Sequence, residues 1–453
     1  MRRLLGLGGI ALVCGLAASG AVVSGARADG GADGCSATST RPAQWKAEHC
    51  KTQETSGSTA SAAARPAGTL FVSPSGSVGS AGGDCGSATF SSISAAVAAA
   101  PPWGTVVVCA GTYYEDVFVH KPLTLVGENA TINATGLENG IWVVSSNVNV
   151  SGFDLVDANG EGLLVGIDSL ADAPLLPDAG PVLTNVQVDH VRALNDNKGF
   201  NGTEESNCKY PGDCGGGIHL NVVEHSSVTN SQTTGNADGI LLTDDYGPNA
   251  YNLIQGNLVS DNVSECGIVL PSHSSSAVSF NPETFQVTGR NSEQGGVFDN
   301  RILDNVAIGN GTNVAPPQFG GIGGSGGGIG IFGSGPGSGA YGNVVEGNYL
   351  AGNGLAGVVM HAHHPGGEDM NGNQVINNTF STNNMMGDPF DGGVSDFETT
   401  AIAIYSVPPA EITISGNHIH NNTIGIWLTN TVTGLGSNTF DDVTTPVKIE
   451  QPN

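Results

Sequence analysis

Positive charge is scarce in this 453-residue chain: 14 Lys and Arg stand against 41 Asp and Glu, a formal net charge of −27. Phosphate contacts need a basic surface, so nucleic-acid binding is excluded as a function class. Aromatic residues make up only 6% of the chain, which argues against a sandwich packed around large rings. Ala, Glu, Lys, Leu and Arg do not dominate, so a coiled coil is excluded as well. No Cys-x-x-Cys pair occurs, and a zinc ribbon is not expected. Beyond the N-terminus no stretch reaches the roughly 18 consecutive apolar residues of a membrane-spanning helix. What the chain has in excess is Gly, 69 residues, together with Asn, Ser, Thr and Val. That combination reads as turn-rich and all-β.

Arg2 and Arg3 precede an apolar run from Leu4 to Val23, and Ala26-Arg27-Ala28 is a small-residue cleavage pattern. Residues 1–28 therefore read as a signal peptide, and the expected location is secreted, outside the cell. Residues 29–67 are poor in hydrophobics and lack periodicity, as a flexible linker does. The domain proper is expected over 68–453. Cysteine usage agrees with an oxidising compartment. Spacing pairs Cys35 with Cys50, Cys85 with Cys109 and Cys208 with Cys214, and leaves Cys266 as an expected buried, unpaired side chain.

The stretch Ser91 to Ala100 has apolar residues at helical spacing and ends at Pro101-Pro102, which predicts a short helix. From about residue 140 a four-residue strand recurs, of the form Gly-apolar-x-apolar. It stands at Gly140-Ile141-Trp142-Val143, Gly162-Leu163-Leu164-Val165, Gly217-Ile218-His219-Leu220, Gly239-Ile240-Leu241-Leu242 and Gly267-Ile268-Val269-Leu270. Gly328, Gly357, Ala401 and Gly425 open further copies. In phase with it, Asn recurs every five residues, at Asn252, Asn257 and Asn262, at Asn300, Asn305 and Asn310, and again from Asn343 and from Asn373. Asn tolerates the left-handed backbone region, so each is expected at a corner, with stacked copies hydrogen-bonding as a ladder. Short strands, Gly and Asn corners, and a short repeat describe a parallel β-helix, a solenoid of coils about 4.8 Å apart.

The segments Phe90-Ser91-Ser92-Ile93, Gly104-Thr105-Val106, Gly111-Thr112-Tyr113-Tyr114-Glu115 and Lys121-Pro122-Leu123-Thr124-Leu125 resemble the opening of many pectin-lyase-fold proteins. The later repeats resemble the right-handed β-helix repeats of that superfamily, which holds polysaccharide lyases, glycoside hydrolases, mannuronan epimerases and NosD-like proteins. The resemblance covers roughly 70–450. It implies an all-β, single-stranded right-handed parallel β-helix with an N-terminal capping helix. The polygalacturonase motifs Gly-His-Gly and Arg-x-Lys are absent, and Asn236-Ala237-Asp238-Gly239 and Asp189-His190 match family motifs only in part.

The polar residues just after the repeat strands are the candidate site, on an outer edge beside the long insertions. Asp244 and Asp245 could divide acid and base roles in glycoside hydrolysis or bind Ca²⁺. His273 and the cluster His361, His363 and His364 offer general bases. His361, His363, His364 and Asp369 are also a candidate ligand set for a divalent cation. Tyr246 with Asp244 and a His resembles the Tyr/Asp/His set of epimerase-like sites. His219, Asn221 and Tyr405 are candidate substrate contacts, and Trp142 and Trp427 candidate sugar platforms. The expected function is carbohydrate-active, by lyase, hydrolase or C5-epimerase chemistry on a polysaccharide or other glycan, in a monomer. The alternative is a non-catalytic binding or surface protein, metal-binding in the NosD-like case. The negative field repels acidic glycans, so either a divalent cation bridges the substrate or the substrate is neutral.

Overall fold

The computed structural model describes residues 68–76, 82–167, 170–176, 180–197, 216–263, 265–313, 324–362, 366–387 and 398–452. The expected signal segment and linker, and the expected Cys35–Cys50 and Cys208–Cys214 pairings, lie outside the described residues.

Strand pairing gives the architecture directly. Each coil lays its short strands parallel to those of the next, and the second residue of each Gly-apolar-x-apolar repeat falls in one column. Val117, Ile141, Leu163, Ile218, Ile240, Ile268, Ile329, Val358, Ile402 and Ile426 succeed one another from coil to coil. All are fully buried, and burying a side chain of this size contributes about 1.5–3 kcal/mol. Nearly all are β-branched, the shape that packs well on a pleated surface. The repeat Gly is required by the neighbouring coil: a Cβ on Gly239 would collide with the carbonyl oxygen of Gly267. The chain is thus a parallel β-helix. Two of its faces, exemplified by Ser227–Thr229 and Gln232–Thr234, alternate buried and half-exposed residues. The face built on the repeat column does so only at first, as at Ile141–Val143. From Leu163–Val165 onward it is buried on both sides.

The Asn ladder is present, but its relation to the corner differs from the sequence expectation. The left-handed residue is the one before each ladder Asn: Tyr251, Asp299, Asp304, Asp261 and Asn377 have φ between 53° and 58°. The ladder Asn turns its side chain inward instead. Asn305 donates from its backbone N–H to Asn348 Oδ1 at 2.8 Å and from Nδ2 to Ile254 O at 2.9 Å. Asn348 repeats the pattern on Asn378, and Asn378 on Asn417. The division has a geometric cause. A corner needs an αL residue facing water, and the adjacent inward position needs an amide to satisfy buried backbone groups.

The N-terminal end is closed by the helix Ile93–Ala99, slightly shorter than predicted. Ser92 caps it, accepting from Ala95 N–H, and Glu115 accepts from Ile93 and Ser94 N–H at 2.8 and 2.9 Å. Ile93, Ala96 and Val97 join the coil interior. Beside it lies Asp116, whose Oδ1 is buried without a hydrogen-bond partner. Burial pushes its carboxyl up to about 6; the Glu138 charge adds to this and a hydrogen bond from Asn139 N–H opposes it. The folded chain therefore holds a proton here that an unfolded Asp releases near 3.8, so this group's contribution to stability falls as pH rises through about 4–6. Asp116→Asn is expected to raise the melting temperature at pH 7 and to leave it unchanged at pH 4. Equal gains at both values would exclude this cause.

Cys85 and Cys109 form the expected disulfide. Replacing both by Ser is expected to cost about 3.5 kcal/mol, the loop-entropy value for a separation of 24 residues, read as a lower urea midpoint. Cys266 corrects the sequence reading. It is disulfide-bonded, and its partner lies outside the described residues. Odd-number arithmetic left it over, and spacing along the chain carries no information on which sulfurs a coil brings together. At the other end of the solenoid Thr439–Glu450 pairs with His418–Thr429, and among the described residues no strand pairs with its outer edge. No helix among the described residues is long and apolar enough to cross a membrane.

Candidate functional site

The outward residues of the repeat strands form their own column: Phe118, Trp142, Leu164, His219, Leu241. Among the described residues, part of this outer edge is covered by apolar side chains. Leu241, Val269, Phe332, Val359, Ala403 and Trp427 make a second apolar cluster on the outer side, separate from the coil interior. Trp427 points outward as expected but is buried there, donating to Glu450 Oε2 at 3.0 Å. Trp142 and Phe118, one coil apart with ring centroids 5.1 Å from each other, remain half-exposed.

Next along this column the outer layer turns polar. His219 Nδ1 lies 3.2 Å from Glu161 Oε1 and its Nε2 2.9 Å from Thr243 Oγ1. Thr243 Oγ1 lies 3.4 Å from Asp245 Oδ2, and Asp245 Oδ1 lies 2.8 Å from His273 Nδ1. Asn221 donates from Nδ2 to Asp245 Oδ2 and to Ile167 O, both at 2.8 Å. A continuous chain of acid, imidazole, hydroxyl, acid and imidazole thus crosses the coils, with no member more than 6% exposed.

Its protonation logic rests on the donor inventory. An ionised Asp245 only accepts, so the His273 proton sits on Nδ1 and the lone pair on Nε2. With His219 neutral, Nδ1–H donates to Glu161 and Nε2 accepts from the Thr243 hydroxyl. With His219 protonated, Nε2–H donates to Thr243, whose own proton turns towards Asp245. One hydroxyl rotation at Thr243 accommodates either form of the His219 contact.

Asp244, the neighbour of Asp245, is engaged differently. It accepts from Ser272 Oγ at 2.8 Å and from the backbone N–H groups of His273, Ser274 and Gly296. It ties the two ends of the insertion 273–296 to the coil. Burial pushes its carboxyl up, against the His273 charge and these hydrogen bonds. With its oxygens so occupied, a shared acid and base role for Asp244 and Asp245 has little support in the geometry.

The remaining candidates stand elsewhere. In the coil-to-coil register Pro271 pairs with Phe332, Phe332 with His361, and His361 with Tyr405. His361 is therefore two coils, about 10 Å, beyond the strand that leads into His273. It packs against the Phe332 ring, and Tyr405 lies parallel to Trp427. Tyr246 is half-buried in the turn after Asp245. His363 and His364 lie outside the described residues. Asp369 accepts from Arg290 Nε at 2.7 Å, and among the described residues no group of three His, Cys, Asp or Glu is placed to hold a metal ion. Sequence reasoning missed Glu161, and it placed Thr243 on the polar edge without giving it a role. Glu161 sits 58 residues from His219; the usable signal was its place just before a repeat Gly, a position that Asp238 also fills.

No family model matches the sequence, and no curated protein matches it either. Several solved structures are similar. The A-module of a mannuronan C-5 epimerase from Azotobacter vinelandii is 14% identical, over 77% of this chain and 90% of that one, with a TM-score of 0.40. An alginate lyase from a Paenibacillus species is 11% identical over 84% and 99%, at 0.38. A surface adhesin of Streptococcus pneumoniae is 12% identical over 78% and 87%, at 0.35. At these scores the likeness carries neither site nor reaction across to this chain. What it has in common with them is what strand pairing already established, a parallel β-helix.

Proposed function

We propose that the chain is a secreted carbohydrate-active enzyme that moves a proton on a glycan, with Asp245 and His273 as its acid–base pair. The observation that carries the reading is the unbroken hydrogen-bonded ladder from Glu161 through His219, Thr243 and Asp245 to His273. Asp245 orients His273 and fixes its tautomer, the arrangement by which a neutral imidazole is made a base. Half-exposed Trp142 lies in the same outward column as His219, two coils or about 10 Å away, and offers a platform for a sugar ring. Proton transfer, as in β-elimination or epimerisation, suits this site better than two-carboxylate hydrolysis, because Asp244 is held by four donors. Export is supported by the N-terminal pattern of residues 1–28 and by the Cys85–Cys109 disulfide.

The test is incubation of the mature chain with a panel of neutral and acidic polysaccharides, monitoring reducing ends, unsaturated-uronate absorbance and C5 configuration. Turnover of at least one glycan, lost in His273→Gln, is expected. Absence of any product across the panel sinks the enzyme reading. The second reading, a non-catalytic binding protein, is favoured by one observation: the ladder is buried. In that case Asp245→Asn changes the unfolding midpoint and leaves glycan binding alone.

A further inference from the structure

One corner column of the solenoid carries two stacked rings. Glu224 pairs with Ala250, and Ala250 with Phe298, so the next residues, His225, Tyr251 and Asp299, occupy one corner column. All three have positive φ, as does Asn185 one coil earlier. Asn, Asp and Gly fill most such positions elsewhere, with His190 and Thr382 among the exceptions, and a bulky Tyr at φ 58° is uncommon there. Backbone strain kept at an exposed ring points to function, and Tyr251 is 46% exposed.

The surroundings give the ring partners. His225 stacks on Tyr251 at 4.9 Å, Tyr251 meets Phe298 at 5.6 Å edge-on, and Phe298 stacks on Tyr341 at 5.0 Å. The Arg290 guanidinium lies 3.9 Å from the Tyr341 ring centroid. Arg290 gives Nε to Asp369 and Nη2 to Asn371 O, while Nη1 makes no hydrogen bond among the described residues. The Tyr341 hydroxyl is buried without a hydrogen-bond partner. Asp299 is exposed and feels the Arg290 charge, yet no ion pair joins them.

We propose that Tyr251, Asp299, Arg290 and Tyr341 form a binding subsite for a neutral oligosaccharide, outside the acid–base ladder. Adjacent sugar hydroxyls bridge an acceptor, the Asp299 carboxylate, and a donor, Arg290 Nη1. The apolar side of the ring lies against the exposed flank of Tyr251. Two carboxylates, Asp299 and Asp369, surround the one guanidinium in a chain of net charge −27, so a uronate is repelled. The hairpin Val278–Phe280 and Val287–Arg290 that presents Arg290 belongs to the insertion that Asp244 fastens down at Gly296, which places the subsite on a fixed support.

Calorimetric titration of the mature chain with cellohexaose, mannohexaose, xylohexaose and hexagalacturonate tests this. At least one neutral hexasaccharide is expected to bind, and hexagalacturonate more weakly. Tyr251→Gly, which suits the corner backbone, should weaken binding at least tenfold without lowering the melting temperature. Arg290→Lys keeps the charge beside Asp369 but loses the fork, and should weaken binding similarly; it decides the matter if Tyr251→Gly proves less stable. Binding is read without turnover, so binding lost in the corner variants leaves the enzyme reading standing, and absent turnover with binding intact leaves the subsite standing. No binding of any neutral hexasaccharide, unchanged binding in both corner variants, or tighter binding of hexagalacturonate overturns the proposal.

Discussion

Asn378→Ala is expected to lower stability by on the order of 4 kcal/mol, whereas Asn377→Gly, one residue earlier, leaves it within about 0.5 kcal/mol or raises it. The two amides look alike in sequence and do opposite things. Asn378 is 1% exposed. It accepts from the N–H and the Nδ2 of Asn348, both at 2.9 Å, and donates to Val345 O and Asn417 Oδ1. Truncation takes a partner from several buried groups, at about 1–3 kcal/mol for each one left unsatisfied, and leaves a void. Asn377 sits at φ 58° with its side chain exposed on Glu346. Glycine adopts that conformation freely and loses only a surface contact. Urea midpoints measured side by side decide it: equal shifts for the two variants would mean that the inward ladder does not hold the coils together.

Asp245→Asn is expected to reduce turnover by a factor of about 10²–10⁴, the range attributed to a positioned acid–base group, while Asp244→Asn acts mainly on stability. An Asn at 245 presents an amide N–H to His273 Nδ1. The imidazole then accepts at Nδ1 and carries its proton on Nε2, so the lone pair faces the wrong way. The side chain is nearly isosteric, so little packing is lost. Asp244→Asn instead disturbs a carboxylate that gathers Ser272, His273, Ser274 and Gly296. Turnover on whichever glycan the panel identifies, measured with the unfolding midpoint of each variant, separates the two. Loss of turnover in Asp244→Asn at full stability, with Asp245→Asn active, would reverse the assignment.

Much of the fold was legible because a solenoid writes its period into the chain. Gly before an apolar pair placed Ile218, Ile240, Ile268 and Ile329 in one column, as strand pairing has them. The Asn period of five gave the ladder, though not that the preceding residue bears the turn, because Asn suits both places. The site was half legible. Aligning the residues just after each repeat strand brought out Asp245 and His273, and the x position brought out His219. Glu161 escaped because its partner lies several segments away, and Thr243 was placed on the edge without a role. The cover over Leu241, Val269 and Phe332 escaped as well. A strand buried on both sides reads as a continuous apolar run, and the repeat was already read as apolar for its inner face alone.

The helix at one end, and at the other a strand whose outer edge no described strand pairs, give the solenoid a direction in time. Each coil pairs with its immediate neighbours, so structure can grow outward from wherever a first coil settles. Ile93–Ala99 closes the end that leaves the ribosome first, and Thr439–Glu450 follows last. A chain emerging from its N-terminus therefore always meets a finished template, one coil deep, on which the next can be laid. Deleting coils from the C-terminal side shortens the product, while deleting the opening residues bares the edge that the helix covers.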